Sequence, residues 1–299
     1  MPRLLRLAPT PLHRPNSLLP NLHLLPQIKF PPSLHTTTHL AASQNFAPAF
    51  PSYTYASAQP GFAEHDLDEF DAVASSLSWS RTLGLLRKAF GISVDLERIW
   101  EEHVALEFMT KDAAATMRTM VPEPYVNHVP TLTGGIGQKD LFIFYRDHFI
   151  PSNPPSTSMR LLSRTVGVDR VVDEMLFSFE HTQAIPWMLP DVPPTHKKVS
   201  VALVAVVCIR GGKLYHEHIY WDQASVLVQL GLLDPKLVPA SMKEKGMERL
   251  PVVGAESAAK VVDPSAVESN GLLSSWGERP KGDPGVKMPE RPKKAANGD

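Results

Sequence analysis

The segment KKVSVALVAVVCI, residues 197–209, constrains the fold of this chain more than any other. Alternate side chains of a strand point to opposite faces of a sheet. Both sets are apolar here: Val201, Leu203, Ala205 and Val207 on one face, and Ala202, Val204, Val206 and Cys208 on the other. A strand with two apolar faces needs a cover on each side. The segment therefore predicts a central strand of a sheet that is covered twice.

Three further segments predict strands around this one. The dipeptide Gly211-Gly212 supplies the positive φ of a tight turn, so KLYHEHIYW (213–221) is expected to form a hairpin with the central strand. MRLLSRTVGVDRVVDEMLFSFEHTQ (159–183) predicts two strands joined near residues 167–169, and PYVNHVPTL (124–132) predicts a short strand before a TGG turn. The expected sheet is a four-stranded antiparallel meander with one additional short strand.

Helices are predicted before and between these strands. Apolar side chains recur every three or four residues in 64–90, 93–121 and 139–150, and a last helix begins at Asp222. Ser93 or Asp95 is the expected N-cap of the helix whose buried stripe consists of Leu96, Ile99, Trp100, Val104 and Phe108. Helices on one face of a curved antiparallel sheet define an α+β fold.

The two ends of the chain differ in composition from its middle. Residues 1–60 contain Arg3, Arg6, Arg14 and Lys29, and no acidic residue precedes Glu64. We expect this basic, hydroxyl-rich leader to be disordered. Its composition is typical of a transit peptide and favours a mitochondrial location, with a cytoplasmic protein as the other expectation. A disordered proline-rich tail or a start codon placed too early are the alternatives. We expect a helical extension over 61–94 and a mobile polar tail over 235–299.

Charge, cysteine content and hydropathy exclude several classes of function. A net charge of −1 and a pI near 6.9 give no basic footprint for nucleic acid. Cys208 is the single cysteine, which excludes an intramolecular disulfide and a multi-cysteine zinc site. The longest purely apolar run, VALVAVVCI, is far shorter than the roughly 20 residues of a membrane helix, so no membrane partner is predicted.

Three segments resemble the SnoaL-like polyketide cyclase group of the nuclear-transport-factor-2-like superfamily. They are PYVNHVPTLTGGIGQKDLFIFYRDHF, HTQAIPWMLPDVPPTHKKVSV and GGKLYHEHIYWDQASVLVQLG, and the resemblance covers about residues 95–234. It implies a cone, in which a curved antiparallel sheet is wrapped by N-terminal helices around an apolar pocket. The cone covers one face of the sheet. We expect a second subunit to cover the other, as a homodimer through the outer face, with the helices of 64–90 as the alternative cover.

The resemblance also implies acid–base chemistry without a metal or an organic cofactor. Asp222 matches the family's acid–base aspartate, directly before the last helix. A carboxyl group in an apolar cone loses solvation and can exchange protons near neutral pH. The alternative for an aspartate that opens a helix is a simple N-cap.

Residue type and strand face indicate further catalytic and pocket candidates. His128, His181 and His218 are the further catalytic candidates, because histidine titrates near working pH. Glu217 lies on the other face of its strand from His218 and is expected to form a structural or interface salt bridge, and Tyr145 to pack in the core. The predicted pocket wall consists of Tyr125, Asn127, Phe177, Trp187, Met188 and Tyr220. The face expected to look into the cone carries Val171, Asp173, Met175, Phe177, Phe179 and His181.

Relatives with close versions of these motifs have been labelled carboxymethylenebutenolidase, a lactone hydrolase. That chemistry needs a nucleophile on a sharp elbow, whereas Cys208 lies within a strand and the sequence has no G-x-S-x-G or G-x-C-x-G motif. We therefore expect a cyclase, isomerase, hydratase or water-activating hydrolase for a small hydrophobic carbonyl or lactone-like substrate. The alternative is a non-catalytic ligand-binding, dimerisation or scaffold module.

Overall fold

The computed structural model describes residues 34–37, 51–56 and 58–276. The chain divides into two compact units, residues 1–94 and 95–299. Most of the predicted leader and the end of the predicted tail lie outside the described residues. In the part of the chain that is described, no helix is both long and apolar enough to cross a membrane.

The first unit contains a parallel pair of short strands and one long helix. Strand β1 (Leu34–Thr37) pairs with β2 (Ser52–Tyr55), and helix α1 spans Ala72–Phe90. A small buried core is formed by Tyr55, Ala58, Phe62 and Ala74. The two strands correct the expectation of a disordered leader for these two segments.

The second unit is built on a six-stranded sheet with the order β4-β3-β8-β7-β6-β5. Its strands are β3 (Met120–His128), β4 (Thr133–Ile136), β5 (Ser158–Val166), β6 (Arg170–Glu180), β7 (Lys198–Arg210) and β8 (Lys213–Trp221). All neighbouring strands are antiparallel except β3 and β8, which are parallel. The sheet is curved and does not close on itself, which confirms the predicted α+β class with its antiparallel meander.

Short helices surround this sheet. They are α2 (Leu96–Phe108), α3 (Ala113–Arg118), α4 (Gly137–Ile143), α5 (Gln223–Leu230), α6 (Ala240–Lys243) and α7 (Glu256–Val262). A π-helical turn (Phe144–Phe149) and a 3₁₀ turn (Ile150–Ser152) follow α4. Asp95, rather than Ser93, caps α2, because its Oδ1 accepts the backbone N–H of Arg98 at 3.0 Å.

The TGG segment, predicted as a turn, forms strand β4 beside β3. Gly134 has a φ of 129°, in the region that favours glycine. A Cβ atom there would lie 2.1 Å from the carbonyl oxygen of Val126. Only glycine permits this close pairing, and the pairing holds the strand that carries His128.

The β7–β8 hairpin decides which side chains face the helices. Gly211 and Gly212 have φ angles of 58° and 76°, as the predicted tight turn requires. The register pairs Val207 with Glu217 and Val206 with His218. Val207 and Glu217 are buried, whereas Val206 and His218 are half-buried, so Glu217 lies on the inner face and His218 on the outer face. The predicted alternation along β8 is confirmed, but the pocket had been expected on the wrong side of this strand.

The chain after residue 235 packs onto the second unit as far as it is described. Helices α6 and α7 lie in this segment, and Ala258 of α7 is fully buried. The hydroxyl group of Ser225 on α5 donates to the carbonyl oxygen of Gly254 at 2.6 Å. This corrects the expectation of a mobile tail for residues 235–276, where a polar average composition hid one short buried helix face.

Candidate functional site

A cavity of about 370 Å³ lies between α2 and the inner face of the sheet. The exposed side chains of Met109 and Leu161 mark its opening. Most of its wall is apolar, and its aromatic members are Trp100, Phe108, Tyr145, Phe149, Phe177 and Trp187. An apolar cavity of this size with a few convergent polar groups is typical of a small-molecule site.

Three buried ionisable side chains meet at one imidazole nitrogen beside this cavity. Nε2 of His103 lies 3.1 Å from Oε1 of Glu107 and 3.3 Å from Oε1 of Glu217. His103 and Glu107 are one helical turn apart on α2, and Glu217 comes from the inner face of β8. Both glutamates line the cavity. We call these three residues the acid cluster.

Thr119 fixes the orientation of the imidazole ring. Nδ1 of His103 lies 2.6 Å from Oγ1 of Thr119, whose own proton goes to the carbonyl oxygen of Thr116 at 2.6 Å. Because that hydroxyl proton is already used, Nδ1 must be the donor to Thr119. The ring therefore turns Nε2 toward the two carboxylates, where a protonated imidazole donates its second N–H.

The pKa values of two members of the acid cluster, His103 and Glu107, are raised. Burial opposes the charged form of His103, but the attraction of the two carboxylates outweighs it and raises the pKa of His103 to about 10. Burial also raises the pKa of Glu107, with His103 acting against the shift. Two carboxylates around one imidazolium leave a surplus negative charge in a buried site.

Tyr145 places a hydroxyl group at the same end of the cavity. It lies in the π-helical turn, a conformation that is frequent at functional sites, and its hydroxyl donates to Oε1 of Glu217 at 3.4 Å. Burial and the neighbouring carboxylates raise the pKa of Tyr145 well above its ordinary value. The group therefore stays an O–H donor at neutral pH.

His128 lines the cavity as an uncharged imidazole. Its Nδ1 lies 3.2 Å from the carbonyl oxygen of Thr133, which can only accept, so Nδ1 carries the proton and Nε2 is an acceptor. Burial lowers the pKa of His128 to about 4, although Glu217 acts in the opposite direction. His128 therefore lies on the cavity wall with its Nε2 atom available to accept a hydrogen bond from a ligand.

A second polar group lies on the cavity wall at Asp173. Arg164 donates to both of its oxygens, from Nε at 2.7 Å and from Nη2 at 2.8 Å, and Trp100 donates from Nε1 at 2.8 Å. Nη1 of Arg164 also contacts Glu97 and Glu101 on α2, at 2.8 Å and 2.9 Å. These contacts join β5, β6 and α2 around the cavity.

The structure brings together only part of the predicted pocket. His128, Phe177 and Trp187 line the cavity, as do Asp173 and Met175 from the predicted inward face of β6. Four predicted residues lie on the outer face instead, because they alternate with the inner Val126, His128, Glu217 and Ile219: Tyr125, Asn127, His218 and Tyr220. His218 stacks there on His216, with ring centroids 4.8 Å apart.

The remaining candidates also lie outside the cavity wall. His181 is fully buried and accepts the backbone N–H of Thr195 at Nδ1, at 3.3 Å. Met188 is fully buried, and its carbonyl oxygen accepts from the side chain of Gln223. Asp222 is exposed and caps α5, with the N–H of Ala224 3.0 Å from its Oδ1. Asp222 therefore has the contacts of an N-cap, and it does not lie on the pocket rim, where the sequence predicted it.

The sequence interpretation missed His103 and Glu107, and expected Glu217 only in a salt bridge. A signal was present, because positions 103 and 107 continue the buried stripe of α2, where Leu96, Ile99 and Trp100 are also buried. Ionisable residues on an apolar helix face need partners, so they indicate a buried polar cluster. Tyr145, expected in the core, is indeed 1% exposed but also faces the cavity.

The acid cluster also has the composition of a metal site. One ligand atom from each of its three residues lies within 4.8 Å of the others. A cation would require His103 to lose the Nε2 proton that these hydrogen bonds use. The distances described above are those of a hydrogen-bonded cluster.

No protein-family model matches the sequence, and no curated protein matches it. Solved structures do match. TsrD from Streptomyces laurentii is 21% identical over 47% of this chain and 100% of its own, with a TM-score of 0.39. A candidate SnoaL-like polyketide cyclase from Jannaschia sp. CCS1 is 18% identical over 48% and 99%, with a TM-score of 0.37. An NTF2-like protein from Burkholderia thailandensis is 17% identical over 46% and 96%, with a TM-score of 0.32.

The similar structures thus include SnoaL-like polyketide cyclases and NTF2-like proteins, the group that residues 95–234 resemble. At these identities and TM-scores, the likeness is no evidence for a shared reaction or substrate. Function has to be argued from the side chains of this chain.

Proposed function

We propose that the second unit is an acid–base catalyst that moves a proton at the carbon next to a carbonyl group. The acid cluster carries this proposal: two buried carboxylates flank one imidazole nitrogen at 3.1 Å and 3.3 Å on the wall of an apolar cavity. Such a cavity strengthens the electrostatic interactions within it and excludes competing water. The substrate would be a small hydrophobic carbonyl or lactone-like compound.

The proton transfer uses only side chains of this chain. A carboxylate of the acid cluster, which we assign as that of Glu217, removes a proton from the α-carbon. The electron pair of the C–H bond forms a C=C bond, and the carbonyl oxygen takes up the negative charge. The O–H group of Tyr145 donates to that oxygen, as its raised pKa allows. In a substrate with a β,γ-double bond, return of the proton to the γ-carbon gives an isomerisation, and in other substrates attack of the enolate carbon on a second carbonyl gives an aldol cyclisation.

His103 and His128 have different roles in this proposal. His103 does not line the cavity, so we assign it as a positioning residue that orients the carboxylates and holds their charge. His128 lines the cavity and offers its Nε2 lone pair to a hydroxyl or water of the bound molecule. A base that activates water in this way also keeps hydratase and hydrolase reactions within the proposal.

Thiol-based lactone hydrolysis receives no support from the contacts of Cys208. This residue is fully buried in β7, and burial raises the pKa of its thiol. Its sulfur lies 3.9 Å from Oδ2 of Asp169, and it does not line the cavity.

The second candidate function is a non-catalytic ligand carrier. The observation in its favour is that the acid cluster satisfies its own hydrogen bonds, as structural ion-pair networks also do. A carrier would bind hydrophobic molecules in the same cavity and leave their carbon–hydrogen bonds intact.

The test is deuterium exchange from D₂O into the α-carbon of neutral aromatic ketones, followed by NMR. It detects the proton transfer without knowledge of the product. We expect exchange above the buffer rate, lowered by about 10²-fold or more in Glu217→Gln and also lowered in Tyr145→Phe. Glu102→Gln is the matched control, since this glutamate is exposed on the same helix as Glu107. Bound ketones that show no exchange would favour the carrier.

A further inference from the structure

The charges on the cavity wall are unevenly distributed. Four carboxylate side chains line it, and three of them are buried: Glu107, Asp173, Glu217 and the exposed Glu101. Within the described part of the chain, Arg164 is the one Lys or Arg side chain on this wall. Buried charges act on a bound ligand much more strongly than charges in water.

Arg164 already binds three carboxylates of the protein. Its Nε and Nη2 atoms hold Asp173, and its Nη1 atom contacts Glu97 and Glu101. An anionic ligand could use this guanidinium only by displacing one of three carboxylates. The other cation of the site is His103. It donates its two N–H groups to Thr119 and to the glutamates of the acid cluster, and it does not line the cavity.

The aromatic part of the wall favours the opposite charge. Trp100, Tyr145 and Trp187 line the same cavity as the carboxylates. The faces of aromatic rings attract cations, and they do so more strongly where the cation is desolvated. Carboxylates and aromatic rings together make a surface that accepts an ammonium group and repels a carboxylate.

We propose that this cavity takes a carbonyl substrate without any anionic group, and that a protonated amine on the substrate strengthens binding. The requirement for a reacting carbonyl group rests on the proposed function. The preference for neutral or cationic ligands over anionic ones concerns binding alone. Carboxylic acids, phosphate esters and thioesters of acidic carriers are then excluded as occupants of the cavity, and neutral ketones, esters and amino ketones are the expected class.

The test compares three ligands with one skeleton. 2-Acetylnaphthalene carries at C6 a carboxylate, its methyl ester or an aminomethyl group, and calorimetry with the full-length protein at pH 7.5 measures the Kd of each. We expect the ester to bind at least ten-fold more tightly than the carboxylate, and the amine most tightly. The affinity of the amine should fall as salt is added, because screening weakens charge attraction.

Two variants locate the selectivity in the wall. Glu101→Gln removes a negative charge at the opening and weakens one contact of Arg164, so the amine-to-carboxylate affinity ratio should fall about three-fold or more. Glu102→Gln, which neutralises a glutamate outside the wall, should leave the ratio unchanged.

A carboxylate that binds as tightly as the ester overturns the inference, and so does a ratio that is insensitive to Glu101→Gln. Failure of all three ligands to bind overturns it as well. Failure of the proposed function looks different, because the ester and the amine would bind selectively while the amino ketone shows no α-carbon deuterium exchange.

Discussion

Nδ1 of His103 lies 2.6 Å from the hydroxyl oxygen of Thr119, which can only accept because its own proton is donated to Thr116. One hydroxyl group on the segment between α3 and β3 thus sets the orientation of the imidazole on which both carboxylates converge. Positioning of this kind is typical of sites whose reacting groups must be held rigidly.

Replacing Thr119 with valine removes this acceptor at nearly constant volume. We expect Thr119→Val to lower the free energy of unfolding by about 1–3 kcal/mol, because the buried N–H of His103 is left unsatisfied. Thr119→Ser keeps the hydroxyl group and should recover most of the loss. Urea denaturation measures both. Equal stability of the valine and serine variants would contradict the assigned hydrogen bond.

The stability of the protein should fall at alkaline pH because of His103. Its folded-state pKa is raised to about 10, above the roughly 6.5 of an unfolded histidine. The native state therefore binds more protons between these values, so the contribution of His103 is complete below about pH 6.5 and lost as pH rises toward 10. Urea titrations from pH 6.5 to 10 should show this decline. A slope that is unchanged in His103→Gln would contradict it, and NMR should show a charged His103 ring at pH 8.

Asp222 should act on stability rather than on chemistry. Its carboxylate caps α5 and does not line the cavity. Asp222→Ala should therefore cost about 1 kcal/mol in the free energy of unfolding, and Asp222→Asn much less, because asparagine also caps helices well. Both variants should retain α-carbon exchange. A large loss of exchange in a stable Asp222→Asn protein would restore the catalytic assignment.

The outer face of the sheet should mediate a homodimer, which we propose from its apolar half-buried strand residues. Val204 and Val206 of β7 lie on this face beside Tyr220 and His218. Light scattering at micromolar concentration should give about twice the 33.0 kDa mass of the chain. Val206→Glu should give a folded monomer, since a charge there cannot be desolvated in an interface. A monomeric wild-type protein would contradict this proposal.

We also propose that residues 1–60 direct the protein to mitochondria. A fluorescent protein that carries this segment should co-localise with a mitochondrial dye. Replacing Arg3, Arg6 and Arg14 by glutamine should abolish the import, because the charge of a transit peptide is needed for recognition. A fusion that stays in the cytoplasm would favour the alternative of a proline-rich tail.

The sequence predicted the strands of the second unit better than its site. The apolar alternation of β7 and the glycine pair at 211–212 are local signals, and both determine the hairpin that the structure contains. The face of β8 that is buried depends on its register against β7 and also on its parallel pairing with β3, a strand that is distant in sequence. Strand alternation alone therefore predicts that Glu217 and His218 lie on opposite faces of β8. It does not predict which of the two faces the cavity, and the prediction chose the face of His218.

The acid cluster has only a partial local signal for a similar reason. His103 and Glu107 lie on an otherwise apolar helix stripe, and only the tertiary contact with Glu217 shows why they are tolerated there. Asp222 has a strong local signal, that of an N-cap, and local capping is the role in which its contacts place it. A motif position can thus be occupied by the expected residue type while the site that we propose lies elsewhere.

The parallel pairing of β3 with β8 also bears on the order in which the acid cluster is assembled. Glu107 and Glu217 are far apart in the chain, and β8 is the last strand of the sheet in chain order. Contacts between distant segments form late, since the intervening loop must be closed first. The chain must therefore be synthesised past β8 before the acid cluster can form, and nascent or truncated chains that end before residue 213 would lack Glu217.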